Sequence, residues 1–388
     1  MREIAIVSGR GARRWSHGHP WIYRSDLVHP PESPAGAVLV EDERGRALGW
    51  ALWSPHSEIS LRLIERDPRA RIDATWWHAR LARAVARRVS LGRDATAYRL
   101  VHAEADGCPS LVCDRYDRWL VVQLLSAGLE HFRSAIVAAL TELTQPLGIL
   151  ARHDVPVRAR EQLPATVELI AGEVPHEIEV CEHGIRYLAA PWTGQKTGAF
   201  LDQRENRVLV GRIAHGRALD CFSYHGSFAL HLAQRATSVV ALDVSAAALQ
   251  RAAENCARNR LTNVTLVEAN AFDYLREAQH ARERFDTIVL DPPAFAKTRA
   301  SLPAALRGYK EINLRAMRLL AGGGLLFTAS CSYHVSRPLF LEMLQAAAAD
   351  AGRRYALREV RGQPVDHPEV LTIPETGYIK GALVEALD

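Results

Sequence analysis

The stretch LDCFSYHGSFALHLA, residues 219–233, combines the patterns of a buried strand, a turn and a helix. The apolar run 218–222 predicts a parallel strand, and Phe228 and Leu232 recur at helical spacing, so we expect a helix to begin near Gly226. Glycine at that point allows the turn a positive φ. A strand that passes through a tight turn into a helix presents backbone N–H groups at the carboxyl edge of a sheet, where open α/β folds bind nucleotide-like ligands.

A second apolar run, VVALD at residues 239–243, ends in an acid. The Asp243 carboxylate is placed to accept both ribose hydroxyls of an adenosine group. The G-x-G-x-x-G pattern of dinucleotide sites is absent, which disfavours NAD and leaves S-adenosylmethionine, a ligand without phosphate. The alternative is an ordinary βαβ crossover with a chance acid.

From residue 217 onward, strand and helix patterns alternate with short connections, which predicts an α/β fold: a doubly wound, mostly parallel seven-stranded sheet with helices on both faces. Two strands after the last helix predict a closing antiparallel pair. The strands are expected at 218–222, 238–243, 264–268, 286–291, 324–330, 355–361 and 378–386. The helices are expected at 226–235, 246–259, 271–282, 303–320 and 337–351.

The first 72 residues show short strands separated by Gly, Pro and charged turns, the pattern of a small β-barrel. Within them, residues 10–24 interleave arginines with aromatic side chains, a combination that suits the phosphates and bases of single-stranded or looped RNA. The alternative is that the aromatics fill the barrel and the arginines are solvated. The candidate RNA contacts are Arg13, Arg14, Trp21 and Arg24.

Residues 73–190 are expected to form a small central α+β domain, which begins with a helix that Asp73 caps, and residues 191–388 the catalytic domain. The polar, glycine-punctuated loop 194–207 precedes the nucleotide-like site. It has two interpretations: a wall of that site, to which Gln203 would contribute, or a capped first helical turn that binds nothing.

Composition is that of a folded, soluble protein: 388 residues, a net charge of +4 and 48% hydrophobic residues. The mildly basic charge permits a nucleic-acid partner without requiring one. Six scattered cysteines show no zinc-ligand spacing, so we expect thiols in a reducing cytoplasm and no metal site. No stretch approaches the apolar length of a membrane span, and a cytoplasmic location is expected.

The fourth strand of the alternation leads into LDPPAFAK, residues 290–297. Two consecutive prolines make this loop rigid at the carboxyl edge of the sheet. Asp291 is placed to hydrogen-bond a flat heterocycle, a pattern typical of enzymes that methylate planar nitrogenous groups. The alternative is a rigid loop with no ligand. The candidate substrate contacts in this loop are Pro292, Pro293, Phe295 and Lys297.

The fifth strand ends in Ser330, Cys331 and Ser332, at the same edge as Asp291. A thiolate there can add to C6 of a pyrimidine and make C5 nucleophilic enough to accept a methyl group from a sulfonium. The alternative is a thiol that packs as a small core residue, which is our interpretation of the cysteines at 113, 181, 221 and 256.

The third strand leads into Asn270, whose side-chain carbonyl is placed to meet the adenine amino group, with Phe272 near the ring. The predicted catalytic residues are Cys331 and Asp291. The predicted cofactor contacts are Asp220, Phe222, Ser223, Tyr224, Gly226, Asp243, Val244, Asn270, Ala271, Phe272, Asp291 and Gln203.

Taken together, these motifs resemble the bacterial 23S ribosomal-RNA methyltransferases that join an N-terminal PUA domain to a Rossmann-like class I methyltransferase domain. The matching segments are GHPWIYRSDL (18–27), KTGAFLDQRENR (196–207), DCFSYHGSF (220–228), LDPPAFAK (290–297), RGYKEIN (307–313), SCS (330–332) and DHP (366–368). The resemblance implies a PUA RNA-binding domain, S-adenosylmethionine as methyl donor, and 23S rRNA or a large-subunit precursor as partner. It also implies C5 methylation of a cytosine, with Cys331 as the nucleophile.

Two features depart from that family. His225 and Ser227 stand where relatives commonly have Thr and Gly, and the Asp-Pro-Pro loop has no cysteine, so another base must help to release the thiol. Guanine N7 methylation on the same fold and a non-catalytic RNA-binding assembly factor stay open as alternatives. Also open are the target nucleotide, the choice between naked rRNA and an assembled particle, and a homodimeric state.

Overall fold

The computed structural model describes residues 3–296 and 298–388, and the chain divides into two compact units. The first comprises residues 1–182, 189–201 and 365–376, and the second residues 183–188, 202–364 and 377–388. The chain therefore enters the first unit three times. The expected domain boundaries, after residues 72 and 190, stay a prediction.

The first unit contains two sheets. Its strands are β1 Ile4–Val7, β2 Trp21–Ile22, β3 Leu27–His29, β4 Gly36–Asp42, β5 Ala47–Trp53, β6 Leu61–Glu65, β7 Ala97–His102, β8 Leu111–Tyr116, β9 Trp119–Leu124, β10 Gly148–Arg152 and β11 Val167–Gly172. Its helices are α1 Gly9–Ser16, α2 Ala74–Ala86, α3 Ala127–Glu130, α4 Arg133–Thr144 and α5 Pro156–Arg160. Strands β12 Ile178–Glu182 and β13 Ile185–Ala189 follow where the chain passes to the second unit.

Strand order in the first sheet is β2-β6-β5-β4-β1-β3, and in the second it is β11-β10-β9-β8-β7. The core of the first sheet includes Trp15, which is 1% exposed, so this aromatic of the basic stretch is a packing residue. The α+β character expected for the central region is present, and α2 begins as predicted, because the Asp73 carboxylate accepts a hydrogen bond from the Trp76 N–H at 3.1 Å.

The second unit alternates strands and helices. The strands are β14 Arg217–Cys221, β15 Ser238–Asp243, β16 Val264–Glu268, β17 Phe285–Leu290, β18 Leu320–Ser330, β19 Tyr355–Arg361 and β20 Lys380–Ala386. The helices are α6 Arg204–Ile213, α7 Ser227–Leu232, α8 Ala246–Arg258, α9 Ala271–His280, α10 Leu302–Leu319 and α11 Arg337–Ala351. These bounds lie close to those expected from the sequence.

The sheet of the second unit has the order β16-β15-β14-β17-β18-β20-β19. The first five of these strands in chain order are parallel, and β20 is antiparallel to both of its neighbours. Helices α9, α10 and α11 contribute to the core on one face, and α6 and α7 to the core on the other. The predicted doubly wound, seven-stranded Rossmann-like sheet with a closing antiparallel pair is confirmed.

This topology positions a ligand crevice. Strand β14 pairs with β15 on one side and β17 on the other, so successive crossovers leave it in opposite directions. A topological switch point of this kind opens a crevice at the carboxyl ends of the central strands. Within the described residues, no helix combines the length and apolarity needed to cross a membrane.

Candidate active site

The turn after β14 has a strained backbone. Phe222 and Tyr224 have positive φ angles of 64° and 50°, and Gly226 follows with a φ of 79°. For non-glycine residues such angles are costly and tend to occur where function requires them. The turn is anchored to the next strand, because the Ser223 N–H donates to the Leu242 carbonyl at 2.9 Å.

Asp220, in β14, is 1% exposed. Its Oδ2 accepts hydrogen bonds from Ser223 Oγ at 2.8 Å and from the Ala229 N–H at 3.0 Å, whereas its Oδ1 accepts none from the described residues. Burial raises the pKa of this carboxyl to about 7, and the negative charges of Asp291 and Asp243 act in the same direction. A buried carboxylate oxygen without a partner fits a cationic ligand.

Asp243, at the end of β15, is hydrogen-bonded to the turn after β14. One of its oxygens accepts from the Tyr224 N–H and the other from the Ser245 N–H, both at 2.9 Å. Each carboxylate oxygen retains acceptor capacity for a ribose hydroxyl. Val244, the next residue, is 65% exposed.

Asn270 caps helix α9. Its side-chain carbonyl, which the sequence assigned to the adenine amino group, accepts from the Phe272 N–H at 2.9 Å. Any contact between this carbonyl and adenine would therefore use its second lone pair. Ala271, the first residue of α9, is buried, and Phe272 is half-buried.

Gln203 and Asp291 meet across the site. Gln203 Nε2 donates to Asp291 Oδ1 at 2.8 Å, although the two residues are far apart in sequence. Helix α6 begins directly after Gln203. The loop before α6 therefore has features of both interpretations given above. It leads into a helix, as a first helical turn would, and it contacts the Asp-Pro-Pro loop, as a wall of the site would.

Phe295 lies in a group of aromatic rings. Its centroid is 4.6 Å from Tyr309, 6.0 Å from Phe272 and 6.4 Å from Phe222. The ring packs within the protein, so its stacking on a base, expected from the sequence, would have to use the face or edge left by these neighbours. Pro292 is buried and Pro293 exposed, which leaves Pro293 as the accessible proline; Lys297 lies outside the described residues.

Cys331 is half-buried in the turn that follows β18. Its neighbour Ser332 joins this turn to the Asp-Pro-Pro loop, because Ser332 Oγ accepts a hydrogen bond from the Ala296 N–H at 3.0 Å. Ser332 Oγ also lies 2.9 Å from the hydroxyl of Tyr309 in α10. Through these contacts and the Phe222–Phe295 pair, the turns after β14, β17 and β18 come together.

The other cysteines have different surroundings. Burial raises the pKa of the Cys108, Cys113, Cys221 and Cys256 thiols, which keeps them protonated. Cys181 is half-buried but belongs to the first unit. Cys331 is the half-buried cysteine beside the Asp-Pro-Pro loop.

Lys380 lies next to the candidate site and was not among the residues predicted from the sequence. It lies at the start of β20, is 5% exposed, and its Nζ donates to the Ser332 carbonyl at 2.6 Å. The sequence offered one signal that could have identified it: a lysine at the edge of an apolar strand, in a chain with only four lysines. The pairing of β20 with β18, which sequence patterns do not reveal, brings it here.

The candidate RNA contacts of the first unit differ in exposure. Arg13 is exposed and lines an open concavity with Arg44 and Arg46. Arg14 pairs with the buried Asp26 carboxylate at 3.1 Å.

Trp21 and Arg24 also make contacts within the first unit. Trp21 Nε1 donates to Glu104 at 2.9 Å, and Arg24, although exposed, donates to the Pro55 carbonyl at 2.6 Å. Arg13 is thus an exposed candidate for a phosphate contact, whereas Arg14 and Arg24 bond groups within the first unit.

The second unit fits S-adenosylmethionine. The unpartnered oxygen of Asp220 suits the ammonium of the methionine end, and Asp243 suits the ribose diol. Among the described residues, no cluster of His, Cys, Asp and Glu side chains has the arrangement of a metal site.

Comparisons with known proteins agree with this fit. A family described as S-adenosylmethionine-dependent methyltransferase matches residues 99–377, and a PUA-like domain matches residues 5–66. "Ribosomal RNA large subunit methyltransferase I" of Shewanella amazonensis is 41% identical over 388 residues, which covers 98% of both chains. The protein of the same name from Tolumonas auensis is 41% identical over 379 residues, 95% of this chain and 96% of the other.

Solved structures show the same fold. A proposed SAM-dependent methyltransferase from Streptococcus mutans has a TM-score of 0.84 at 20% identity, over 99% of this chain and all of the other. A structure of a proposed methyltransferase complexed with SAH has a TM-score of 0.83, also at 20% identity and over 99% of this chain and all of the other. The chain thus belongs to the S-adenosylmethionine-dependent methyltransferase family and carries an N-terminal PUA-like domain.

Proposed function

We propose that this protein methylates C5 of a cytosine in 23S rRNA, or in a large-subunit precursor, through a transient covalent bond to Cys331. The observation that carries the proposal is the position of Cys331: a half-buried thiol whose turn is hydrogen-bonded to the Asp-Pro-Pro loop at the carboxyl edge of the sheet. Methylation of an exocyclic amine or of guanine N7 needs no thiol at this point.

Ribosomal RNA as substrate rests on two observations. The relatives named ribosomal RNA large subunit methyltransferase I match this chain at about 41% identity along nearly its whole length. The PUA-like domain presents exposed Arg13, Arg44 and Arg46 around one concavity, which Asp42 and Glu43 also line. Arg46 pairs with Asp42, so Arg13 and Arg44 are the guanidinium groups that suit phosphate.

The mechanism follows from the low nucleophilicity of cytosine C5, which must be increased before it can accept a methyl group. The Cys331 thiolate adds to C6 of cytosine, and the electron pair of the C5–C6 double bond becomes available at C5. To offset the negative charge that accumulates at N3, Asp291 must act as a carboxylic acid and donate a hydrogen bond to this edge of the base. Gln203 Nε2 donates to Asp291 Oδ1 and holds the carboxyl group in place. After C5 has gained its methyl group, a base takes the C5 proton. The electron pair of that C–H bond restores the C5–C6 double bond, and the C6–S bond breaks to release the Cys331 thiolate.

When bound, S-adenosylmethionine supplies an electrophilic methyl group from its sulfonium. Asp220 and Asp243 hold its charged and hydroxyl-bearing ends, and the Phe222–Gly226 turn shapes the pocket. Holding nucleophile and acceptor in a fixed orientation accounts for much of the expected rate.

Replacement of the nucleophile tests the proposal. In Cys331→Ala, methyl transfer to a 23S rRNA fragment should fall by roughly a thousandfold or more, because no other group can activate C5. S-adenosylmethionine affinity, measured by calorimetry, should stay at the wild-type value. Cys181→Ala removes a thiol of similar burial and should leave activity unchanged.

RNA that contains 5-fluorocytidine gives a second readout, because a fluorine at C5 cannot leave as a proton. Wild-type protein and S-adenosylmethionine should form an adduct with this RNA that survives denaturation, and Cys331→Ala should not. Full activity of Cys331→Ala, with 7-methylguanosine in the digested product, would replace the C5 assignment with guanine N7. Methylation of no ribosomal RNA by the wild type would favour an RNA-binding assembly factor.

A further inference from the structure

Lys380 is a buried ammonium group next to the Cys331 turn. Its Nζ donates to the Ser332 carbonyl at 2.6 Å and to the Tyr378 carbonyl at 2.9 Å. Burying a lysine costs free energy unless its charge has partners. Two carbonyl acceptors satisfy part of its hydrogen-bonding capacity. The nearby Cys331 thiol, once ionised, supplies a negative charge that interacts favourably with the ammonium.

The fold holds this lysine in a fixed register. Strand β20 is antiparallel to β18, and Lys380 lies directly opposite Ser330, the last residue of β18 and the residue before Cys331. The turn is held from three elements, since Lys380 in β20, Tyr309 in α10 and the Ala296 N–H all bond Ser332. The position of Cys331 therefore depends on the contacts that the adjacent residue, Ser332, makes.

The charges around Lys380 favour a coupled pair. Burial lowers the pKa of Lys380 to about 8, negative charge on Cys331 raises it, and Arg337 in α11 lowers it. Burial raises the pKa of the Tyr309 hydroxyl, and negative charge on Cys331 acts in the same direction, so this hydroxyl stays protonated. The interaction between two titrating groups is reciprocal, so an ammonium at 380 favours a thiolate at 331 as much as the thiolate favours the ammonium.

We propose that Lys380 is a positioning residue that holds the Cys331 turn and stabilises the Cys331 thiolate by its ammonium charge. The thiol proton leaves to solvent, and Lys380 keeps its own proton below about pH 8. This inference rests on the proposed function for its catalytic meaning, because it supplies the ionised nucleophile that addition to C6 requires.

Alkylation of Cys331 by iodoacetamide measures its ionisation without any RNA or methyl transfer. The rate is followed between pH 5 and 10 by mass spectrometry of the peptide that contains Cys331. In the folded wild type, the midpoint should lie below that of the same peptide in denaturant by about one pH unit. A wild-type midpoint at or above the denatured one overturns the inference, whatever any variant does.

Variants then assign the effect to the lysine. Lys380→Gln keeps a donor for the Ser332 carbonyl and removes the charge, so the midpoint should rise by about one pH unit. Lys380→Arg retains a charge and should keep the midpoint near that of the wild type. Lys310→Gln is the matched control, since Lys310 is a half-exposed lysine paired with Asp350, and its midpoint should equal the wild-type value. An unchanged midpoint in a folded Lys380→Gln protein overturns the inference.

The methylation assay separates this inference from the proposed function. If Cys331→Ala retains activity while the alkylation midpoint of Lys380→Gln rises, the C5 proposal fails and the Lys380–Cys331 coupling stands. If Cys331→Ala is inactive and the midpoint does not move, the coupling fails and the nucleophile stands. If both hold, the optimum of the methylation rate of Lys380→Gln should move to higher pH.

Discussion

At the scale of single residues, the carboxyl group of Asp220 is buried and has a raised pKa. Two hydrogen bonds lower its pKa, but desolvation outweighs them and raises it to about 7. Between about pH 4 and pH 7, Asp220 is ionised in the unfolded chain but still carries its proton in the native protein. The contribution of Asp220 to stability is therefore largest below pH 4 and is lost as the pH rises through 7.

Asp220→Asn tests this coupling. The slope of unfolding free energy between pH 4 and 7 should become less negative, because an amide does not titrate. Near neutral pH, S-adenosylmethionine affinity should fall by about tenfold, since a charge-assisted hydrogen bond is lost. Calorimetry at pH 6 in buffers of different ionisation heat should show proton release on binding in the wild type and less in Asp220→Asn. The exposed carboxylate of Asp273 provides the control, and Asp273→Asn should change none of these quantities.

At the scale of elements, the turn between β14 and α7 packs closely against helix α8. Gly226, at the start of α7, has a φ of 79°, and a Cβ on it would lie 3.1 Å from the Ala252 Cβ of α8. Gly323 offers a comparison, because its φ is 75° and a Cβ there would meet no atom within 4 Å. The two glycines therefore share the left-handed conformation and differ in the crowding around them.

Alanine at each position separates these costs. Gly323→Ala should lose about 1 kcal/mol from the left-handed backbone alone. Gly226→Ala should lose about 1 kcal/mol more, because α7 and α8 must separate slightly. Its S-adenosylmethionine affinity should also fall, since the binding turn shifts. Urea denaturation measures both losses, and equal losses would show that contact with Ala252 does not matter.

At the scale of the whole molecule, the first unit is assembled from distant parts of the chain. Arg88, which is 2% exposed, donates to Asp106 Oδ1 at 2.6 Å and to the Asp366 carbonyl at 2.9 Å. The Arg99 N–H donates to the Asp366 carboxylate at 2.8 Å. The segment between β19 and β20 is thus bound into the first unit by buried polar contacts.

Arg88→Met should destabilise the first unit by about 3 kcal/mol, because it leaves the buried carboxylate of Asp106 without its closest cation. Differential scanning calorimetry should show the transition of that unit at a lower temperature. The adjacent Arg87 also pairs with Asp106, but its side chain is 60% exposed. Arg87→Met should therefore cost less than about 1 kcal/mol. Similar shifts for the two variants would contradict this role of Arg88.

Periodicity in the chain was enough to predict the catalytic sheet. Alternating apolar runs and helical spacing located all seven strands of the second unit, because each parallel strand is buried on both faces and carries a continuous apolar pattern. The turn after β14, Asp243, the Asp-Pro-Pro loop and Cys331 were placed at the carboxyl edge for the same reason. Individual contacts were less predictable: Asn270 uses its carbonyl to cap α9, and Phe295 packs among other rings.

Local patterns of apolar, turn and acidic residues were sufficient to predict the fold class, the cofactor type and the strand ends at which the candidate site lies. Contacts between distant segments could be read only from the folded chain: Gln203 meets Asp291, Ser332 meets Ala296, and Lys380 lies beside the Cys331 turn. The folded chain also shows that residues 365–376 belong to the first unit. Such pairings depend on strand order and register, which are set by packing between segments far apart in the chain.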